Sequence, residues 1–425
     1  MEITNLGSMK DDESWRALGV IVLIGLVLRI SALVGLSSLE FPDTSAYLIA
    51  GAEIFSGSHV SNNIYMPLFP IWAHILGGGI FLKLGDVALS TASIILIYYI
   101  VRHLSHSVIA AALAALMMAL YPHFVFFSVA RLSETLYIFL TCAAFLMLFH
   151  RRFGLGSLLL VLSILTRPTT DYLAPLLIVI FSFVVLQEGW RKSILRLATY
   201  ALIYGALLAP WWAHNYTKYG EFVRLSLGDG TVLYSGNNPL NKSGGGVAWA
   251  KKDISDDMDM SQFDSIKNPI KRNQAMKDAA FDYISDNPGR FVELVGLKLI
   301  RLWRLWPYAE EYKKPHIIVA SIVSYGPVLV LFVLSLFTVL PRALRRLSPI
   351  IAFIGYLTAV HMVTIGSVRY RIPMEPFLIV MGAMALAAQL ERMPAVTRLL
   401  RRTGLLMAIV DTLPKEAGGE RPGSR

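Results

Sequence analysis

Cysteine is nearly missing from this chain: its 425 residues include only Cys142. An intramolecular disulfide and a cysteine-based zinc site are therefore both excluded. Charge is scarce too, at 16% Asp, Glu, Lys and Arg, where soluble domains carry about 25%. The chain has no glycine-rich phosphate loop and no internal repeat. A soluble enzyme, a disordered protein and a secreted disulfide scaffold do not fit these shortages. Apolar residues, by contrast, make up 55% of the chain and gather in blocks of about 20, the length of a membrane span.

These blocks fall at 16–36, 85–101, 107–127, 132–149, 154–166, 172–187, 193–213, 316–340, 349–366 and 374–390. A hydrocarbon core ~30 Å thick is crossed at 1.5 Å per residue, so the chain reads as an all-α polytopic membrane protein with about ten transmembrane helices. Pro67–Leu82 is apolar but broken by Gly77-Gly78-Gly79, and reads as a re-entrant or interfacial piece.

Lys and Arg exceed Asp and Glu by 39 to 29, a net charge of +10. The excess does not point to nucleic acid, because it sits in clusters at the ends of the runs, where it sets orientation. Arg102, Arg151-Arg152, Arg191, Lys192, Arg196, Arg342, Arg345, Arg346 and the stretch Arg392–Arg402 mark cytoplasmic turns. Ser37–Tyr65 has no Lys or Arg and belongs outside. The first run is read as a retained signal anchor, and both termini are placed in the cytoplasm of a plasma or inner membrane protein.

Four regions follow. Residues 1–213 form an N-terminal membrane module with the first outer loop. Residues 214–290 are a small outer-face soluble insert, with turns at Gly228-Asp229-Gly230 and Gly244-Gly245-Gly246 and a helix near Asn268–Ile284. Residues 291–390 hold a C-terminal membrane module, opened by Phe291–Trp306. That stretch interleaves Lys298, Arg301 and Arg304 with apolar residues and two tryptophans, as a helix lying in the headgroup plane does. Residues 391–425 are a cytoplasmic tail, disordered over 414–425 by composition.

Polar residues collect at the outer ends of the spans: Arg131, Glu134, Arg167, Asp171, His214, Asn215, Arg369, Arg371 and Glu375. Ionisable groups within membrane segments are costly unless they pair or serve a function. A secondary transporter keeps its site near the midplane, on repeated halves. Arginines, carboxylates and apolar walls at one surface suit an enzyme acting on a lipid-linked substrate.

Asp43, in Glu40-Phe-Pro-Asp43, can cap a helix starting at Thr44 or act as general base toward an acceptor hydroxyl. Glu40 is a second carboxylate, and a divalent metal could sit between the two. Arg131 and Glu134 are three apart, so an ordinary intrahelical pair is one reading; binding of phosphate and sugar is the other. Asn237 and Asn238 in Gly236-Asn-Asn-Pro239 make a turn and could also bind sugar hydroxyls. Asn215-Tyr-Thr217 is a formal glycosylation sequon lying close to the membrane. Arg369-Tyr-Arg371 beside a helix start makes a phosphate site, since guanidinium forks match phosphate oxygens and the helix end adds positive potential. A basic loop of the ordinary kind would look the same.

In order, Pro42-Asp43 with Tyr47, Arg131-x-x-Ser-Glu134-x-x-Tyr137, Thr166-Arg167-Pro168, Pro210-Trp211 with Asn215-Tyr216 and Gly220, Gly236-Asn-Asn-Pro239, and Arg369-Tyr-Arg371-x-Pro373 with Pro376 resemble the family 39 type of membrane glycosyltransferase. That group includes dolichyl-phosphate-mannose–protein mannosyltransferases and lipid A aminoarabinose transferases. The resemblance covers about 16–390. It implies a C-type glycosyltransferase architecture, a polyprenyl-phosphate-linked sugar as donor, and Asp43 as the catalytic acidic residue of the first loop. Protein mannosyltransferases carry adjacent Asp-Glu there, whereas this chain has Asp43-Thr44. A cell-envelope glycan or lipid acceptor therefore stands beside a protein one.

The expected reaction is an inverting single displacement on the outer face, with Arg371, Arg369 and Arg131 holding the donor phosphate. Glu134, Asn237 and Asn238 face sugar or acceptor. No cofactor is required, and a divalent metal at Asp43 and Glu40 is allowed. A flippase for the same lipid and a ligase using a diphosphate-linked lipid are the alternatives.

Overall fold

The computed structural model describes residues 3–36, 39–57, 64–245, 259–308 and 313–393, and contains helices and no strand among them. Gly246 and the tail 394–425 lie outside the described residues. In hydrocarbon every backbone polar group must be satisfied internally, and a helix does so within one segment. Six helices are long and apolar enough to cross a membrane: Ser14–Gly35, Ile80–Ser105, Trp190–Tyr219, Pro315–Thr338, Leu340–Val363 and Val368–Leu390. Four shorter apolar helices complete the set: Val108–Leu120, Glu134–Phe149, Phe153–Thr166 and Leu173–Val185. Each overlaps one of the ten apolar runs. Their outward faces carry exposed Val20, Leu23, Val27, Leu202, Val323, Val330 and Phe337, as lipid contact requires. The chain is an integral membrane protein.

In chain order α1 is Ile3–Gly35, α2 Pro42–Ser56, α3 Leu68–Ile75, α4 Ile80–Ser105, α5 Val108–Leu120 and α6 Pro122–Phe127. Then come α7 Glu134–Phe149, α8 Phe153–Thr166, α9 Leu173–Val179 (continued as a π-helix, Ile180–Val185) and α10 Trp190–Tyr219. Next come α11 Asp229–Gly236 and α12 Pro269–Asp286; α13 Pro288–Trp303 leads into α14 Pro315–Thr338, α15 Leu340–Val363, α16 Val368–Arg371 and α17 Glu375–Leu390.

The helices that are apolar on every side take the centre, because no polar face draws them outward. Both α7 and α17 are buried along most of their length. Phe145 of α7 is the aromatic hub, 4.5 Å from Phe377 of α17, 5.6 Å from Phe353 of α15 and 5.7 Å from Phe181, centroid to centroid.

Local structure departs from expectation in three places. The segment 67–82 is not one re-entrant piece: α3 stops at Ile75, Gly77 and Gly78 take φ of 67° and 68°, and α4 starts at Ile80. Glycine suits that reversal, since a left-handed backbone costs it least. The span expected at 85–101 accordingly begins five residues earlier. Gly228-Asp229-Gly230 is not a turn but the start of α11, where Asn273 Oδ1 accepts from Gly230 N at 2.9 Å. A Cβ at Gly230 would meet the Asn273 carbonyl oxygen at 2.2 Å, so α11 packs closely on α12 only with glycine there. Leu233, Tyr234, Phe263, Met276 and Ala280 form a small core of their own.

Candidate active site

One end of the bundle gathers the charged residues. The first turn of α2 brings Asp43, the start of α7 brings Glu134, the chain leaving α8 brings Arg167, and α16 brings Arg369. Arg369 joins them. Its Nη1 donates to Asp43 Oδ2 at 2.7 Å, and its Nε donates to Glu134 Oε1 at 2.5 Å. Arg167 Nη1 reaches the same Glu134 oxygen at 2.8 Å and Ser133 Oγ at 3.0 Å. Glu134 is fully buried, and its Oε2 accepts no hydrogen bond among the described residues. The Arg369 side chain keeps 34% exposure and Asp43 keeps 14%, so the site opens on that side.

Two tyrosines line the carboxylates. Tyr65 donates its hydroxyl to Asp43 Oδ1 at 3.2 Å, and burial beside Asp43 raises its pKa. Tyr47 lies 3.1 Å from Ser133 Oγ, and burial followed by the Glu134 charge pushes it up to about 12. Both phenols stay protonated at neutral pH, and Tyr65 serves as a donor to Asp43.

Each expected site residue has a definite place. Asp43 is not a helix cap: Phe41 holds that position with no side-chain bond, which leaves the carboxylate to Tyr65 and Arg369. Arg131 and Glu134 do not pair with each other. Arg131 sits before α7 with φ of 55° and turns its Nη2 to Glu40 Oε1 at 3.0 Å and its Nη1 to the Gly78 carbonyl at 3.1 Å. Arg371, expected to lead the phosphate ligands, is fully buried. Its Nε donates to Glu375 Oε1 at 2.6 Å, its Nη1 donates to the Leu302 and Arg304 carbonyls, and its guanidinium stacks 3.5 Å over Tyr325. Asn237 and Asn238, expected to face sugar, are also fully buried and turn their amides to backbone carbonyls of α11 and to Val363. Asn215 of the sequon is likewise buried and donates to the Val223 carbonyl at 3.2 Å.

Glu40 and Asp43, allowed as ligands of a divalent metal, each hold an arginine: Glu40 meets Arg131 and Asp43 meets Arg369. Among the described residues no group of three or more His, Cys, Asp or Glu is placed to hold a metal ion.

Arg167, Tyr65 and Lys298 are the additions that the sequence reading did not assemble. Lys298, expected at the headgroup surface of α13, is fully buried and donates to Asn237 Oδ1 at 2.8 Å and to the Val363 carbonyl at 3.0 Å. It ties the insert, α13 and the end of α15 together without a carboxylate in that bonding set. Burial lowers its pKa from 10.5 to about 8. Between those two values the unfolded chain holds more protons than the folded one, so stability rises with pH there. From pH 8 to 9.5, short of ordinary tyrosine ionisation, that is worth about 2 kcal/mol. The detergent-solubilised protein should melt at a higher temperature at pH 9.5 than at pH 8 relative to Lys298→Met, which loses this contribution. Parallel pH profiles for the two proteins would remove Lys298 as the cause.

No family model matches the sequence, and no curated protein does. Solved structures do. The Archaeoglobus fulgidus oligosaccharyltransferase AglB, solved with an inhibitory peptide and a dolichol-phosphate, aligns at TM-score 0.55 and 13% identity, over 94% of this chain and 54% of its own. The same archaeal enzyme in complex with Zn and sulfate aligns at TM-score 0.52 and 14% identity, over 93% and 52%. ArnT from Cupriavidus metallidurans, bound to undecaprenyl phosphate, aligns at TM-score 0.42 and 12% identity, over 92% and 84%. This chain thus spans about half the length of the archaeal enzyme (52–54%) and shares its helical membrane fold over that part.

Proposed function

We propose that the protein is a glycosyltransferase that moves a sugar from a polyprenyl-phosphate donor to an acceptor hydroxyl at the outer face of the membrane. The observation that carries this reading is Arg369, which joins two carboxylates at one end of the bundle while a third of its side chain stays open. The fold shared with an oligosaccharyltransferase solved with dolichol-phosphate supports it.

In the proposed reaction the donor phosphate takes Arg369 as its first ligand, with Arg131 and Arg167 adding positive potential. Engagement of Arg369 by phosphate loosens its hold on Asp43 Oδ2. Asp43 then accepts the proton of the acceptor hydroxyl, whose oxygen forms a bond to the sugar C1. The bond from C1 to the phosphate oxygen breaks, and the electron pair leaves on polyprenyl phosphate, with inversion at C1. Arginines fixed where that charge develops stabilise the transition state. Glu134 keeps Arg369 and Arg167 in place. Arg371, Asn237 and Asn238 shape the site from behind.

The regional division is part of the same proposal. Residues 214–290 and α13 cover the site on the outer side and select a glycan, lipid or protein acceptor, while both termini face the cytoplasm. Purified protein incubated with synthetic polyprenyl-phosphate sugars and a cell-envelope extract should release free polyprenyl phosphate. Binding of these donors without release, together with their transfer across sealed vesicles, would replace the transferase reading by transport.

A further inference from the structure

A cavity of about 410 Å³ lies far from Asp43, lined by Tyr99, Arg102, His103, His106 and His150. Its distance follows from α4. That helix starts beside Gly78, whose carbonyl binds Arg131, and runs 26 residues to Ser105, ~39 Å at 1.5 Å per residue. The cavity is therefore at the opposite membrane face. Its depth is marked by an aromatic pair, Trp15 of α1 against Tyr99 at 5.8 Å, and such aromatics settle at headgroup level.

The lining is selective in charge. Its polar groups are three imidazoles, one guanidinium and one phenol, and no carboxylate is among them. The His103 and His150 rings stand 5.0 Å apart. Arg102 is held in position by donating Nη1 to the His106 carbonyl, which closes α4 with a left-handed φ of 56°. Arg346 is near enough to His103 to act on it electrostatically, and Arg151 and Arg152 are exposed on the adjoining turn. The neighbouring carboxylate, Glu391, accepts from Ser107 Oγ at 3.1 Å, just behind His106. Membrane-facing basic pockets of this kind hold anionic headgroups through charge-assisted bonds.

We propose that this cavity is a second binding site, independent of the transferase site, for a phosphate-bearing anion, supplied by an anionic phospholipid headgroup. Arg102 is its principal ligand, and His103 and His150 are hydrogen-bond donors on either side.

The test is carbethoxylation of histidines in the intact purified protein, resolved by peptide mass, with exposed His316 on another element as internal reference. Soluble dihexanoyl phosphatidic acid at ten times its dissociation constant should slow modification of His103 and His150 about tenfold and leave His316 unchanged. Phosphatidylcholine of the same chain length should give no protection. Equal protection by inorganic phosphate at matched concentration would keep the site and move its source from lipid to a soluble anion. Arg102→Gln should weaken binding about tenfold, the loss of one charge-assisted contact, so that protection at the same concentration falls to about twofold. Protection by phosphatidylcholine equal to that by phosphatidic acid, or protection by neither anion, overturns the proposal. The wild-type measurement decides even if the variant fails to fold.

Discussion

Replacing Asp43 with Asn is expected to slow release of polyprenyl phosphate by about 10²–10⁴, the range that a positioned general base supplies. The substitution keeps the size of the side chain, and an amide oxygen still accepts from Tyr65 or Arg369. The capacity to take a proton is lost, together with the charge that pairs with Arg369. The donor should bind as before, because the phosphate ligands remain, so the fall should appear in single-turnover rate more than in donor affinity. Glu40→Gln is the matched control. Glu40 is 77% exposed and pairs with Arg131, so its loss should change the rate only a few-fold. Arg369→Lys adds a third arm. The guanidinium spans Asp43 and Glu134 with two separate nitrogens, whereas an ammonium is one compact charge. Lysine there should weaken donor binding and, unlike Asp43→Asn, raise KM. An unchanged rate in Asp43→Asn would leave the donor class standing and dismiss Asp43 as base.

What could be read from sequence, and what could not, follows the range of each interaction. The ten apolar helices were legible because burial in hydrocarbon depends on composition over about 20 residues, which is a local property. That charges gather at the ends of the spans was legible for the same reason. Their pairing was not. Arg131 and Glu134 look like neighbours on one helical face, but α7 begins at Glu134 and Arg131 lies in a left-handed turn, so the two point apart. Arg369 and Arg371 look like twins. On a helical turn, residues two apart face different ways, and here one meets Asp43 and Glu134 while the other meets Glu375. The amides of Asn237 and Asn238 suggested sugar hydroxyls, yet a buried amide near unpaired carbonyls meets backbone first. The cationic end of Lys298 gave no warning that α11 and α15 would close over it.

Arg371 permits the sharpest separation of a ligand from a strut. Arg371→Met should destabilise the protein by about 3–5 kcal/mol, because it strands buried Glu375 and leaves the Leu302 and Arg304 carbonyls at the end of α13 without their donor. Glu375 would retain His123, 3.3 Å from its Oε2, which is too little to replace a guanidinium. The double variant Arg371→Met with Glu375→Leu removes the stranded charge and should recover most of the lost stability, since apolar replacement of a buried ion pair is often neutral. Unfolding midpoints in detergent would read both changes. The kinetic consequence differs between the two roles. As a strut, Arg371 affects turnover only through stability, so the double variant should regain donor KM along with its melting point. A donor-phosphate ligand would leave KM raised in the double variant however well it folds. The recovery of stability without recovery of KM would return Arg371 to the phosphate site; recovery of both would leave Arg369 as the arginine that meets the donor.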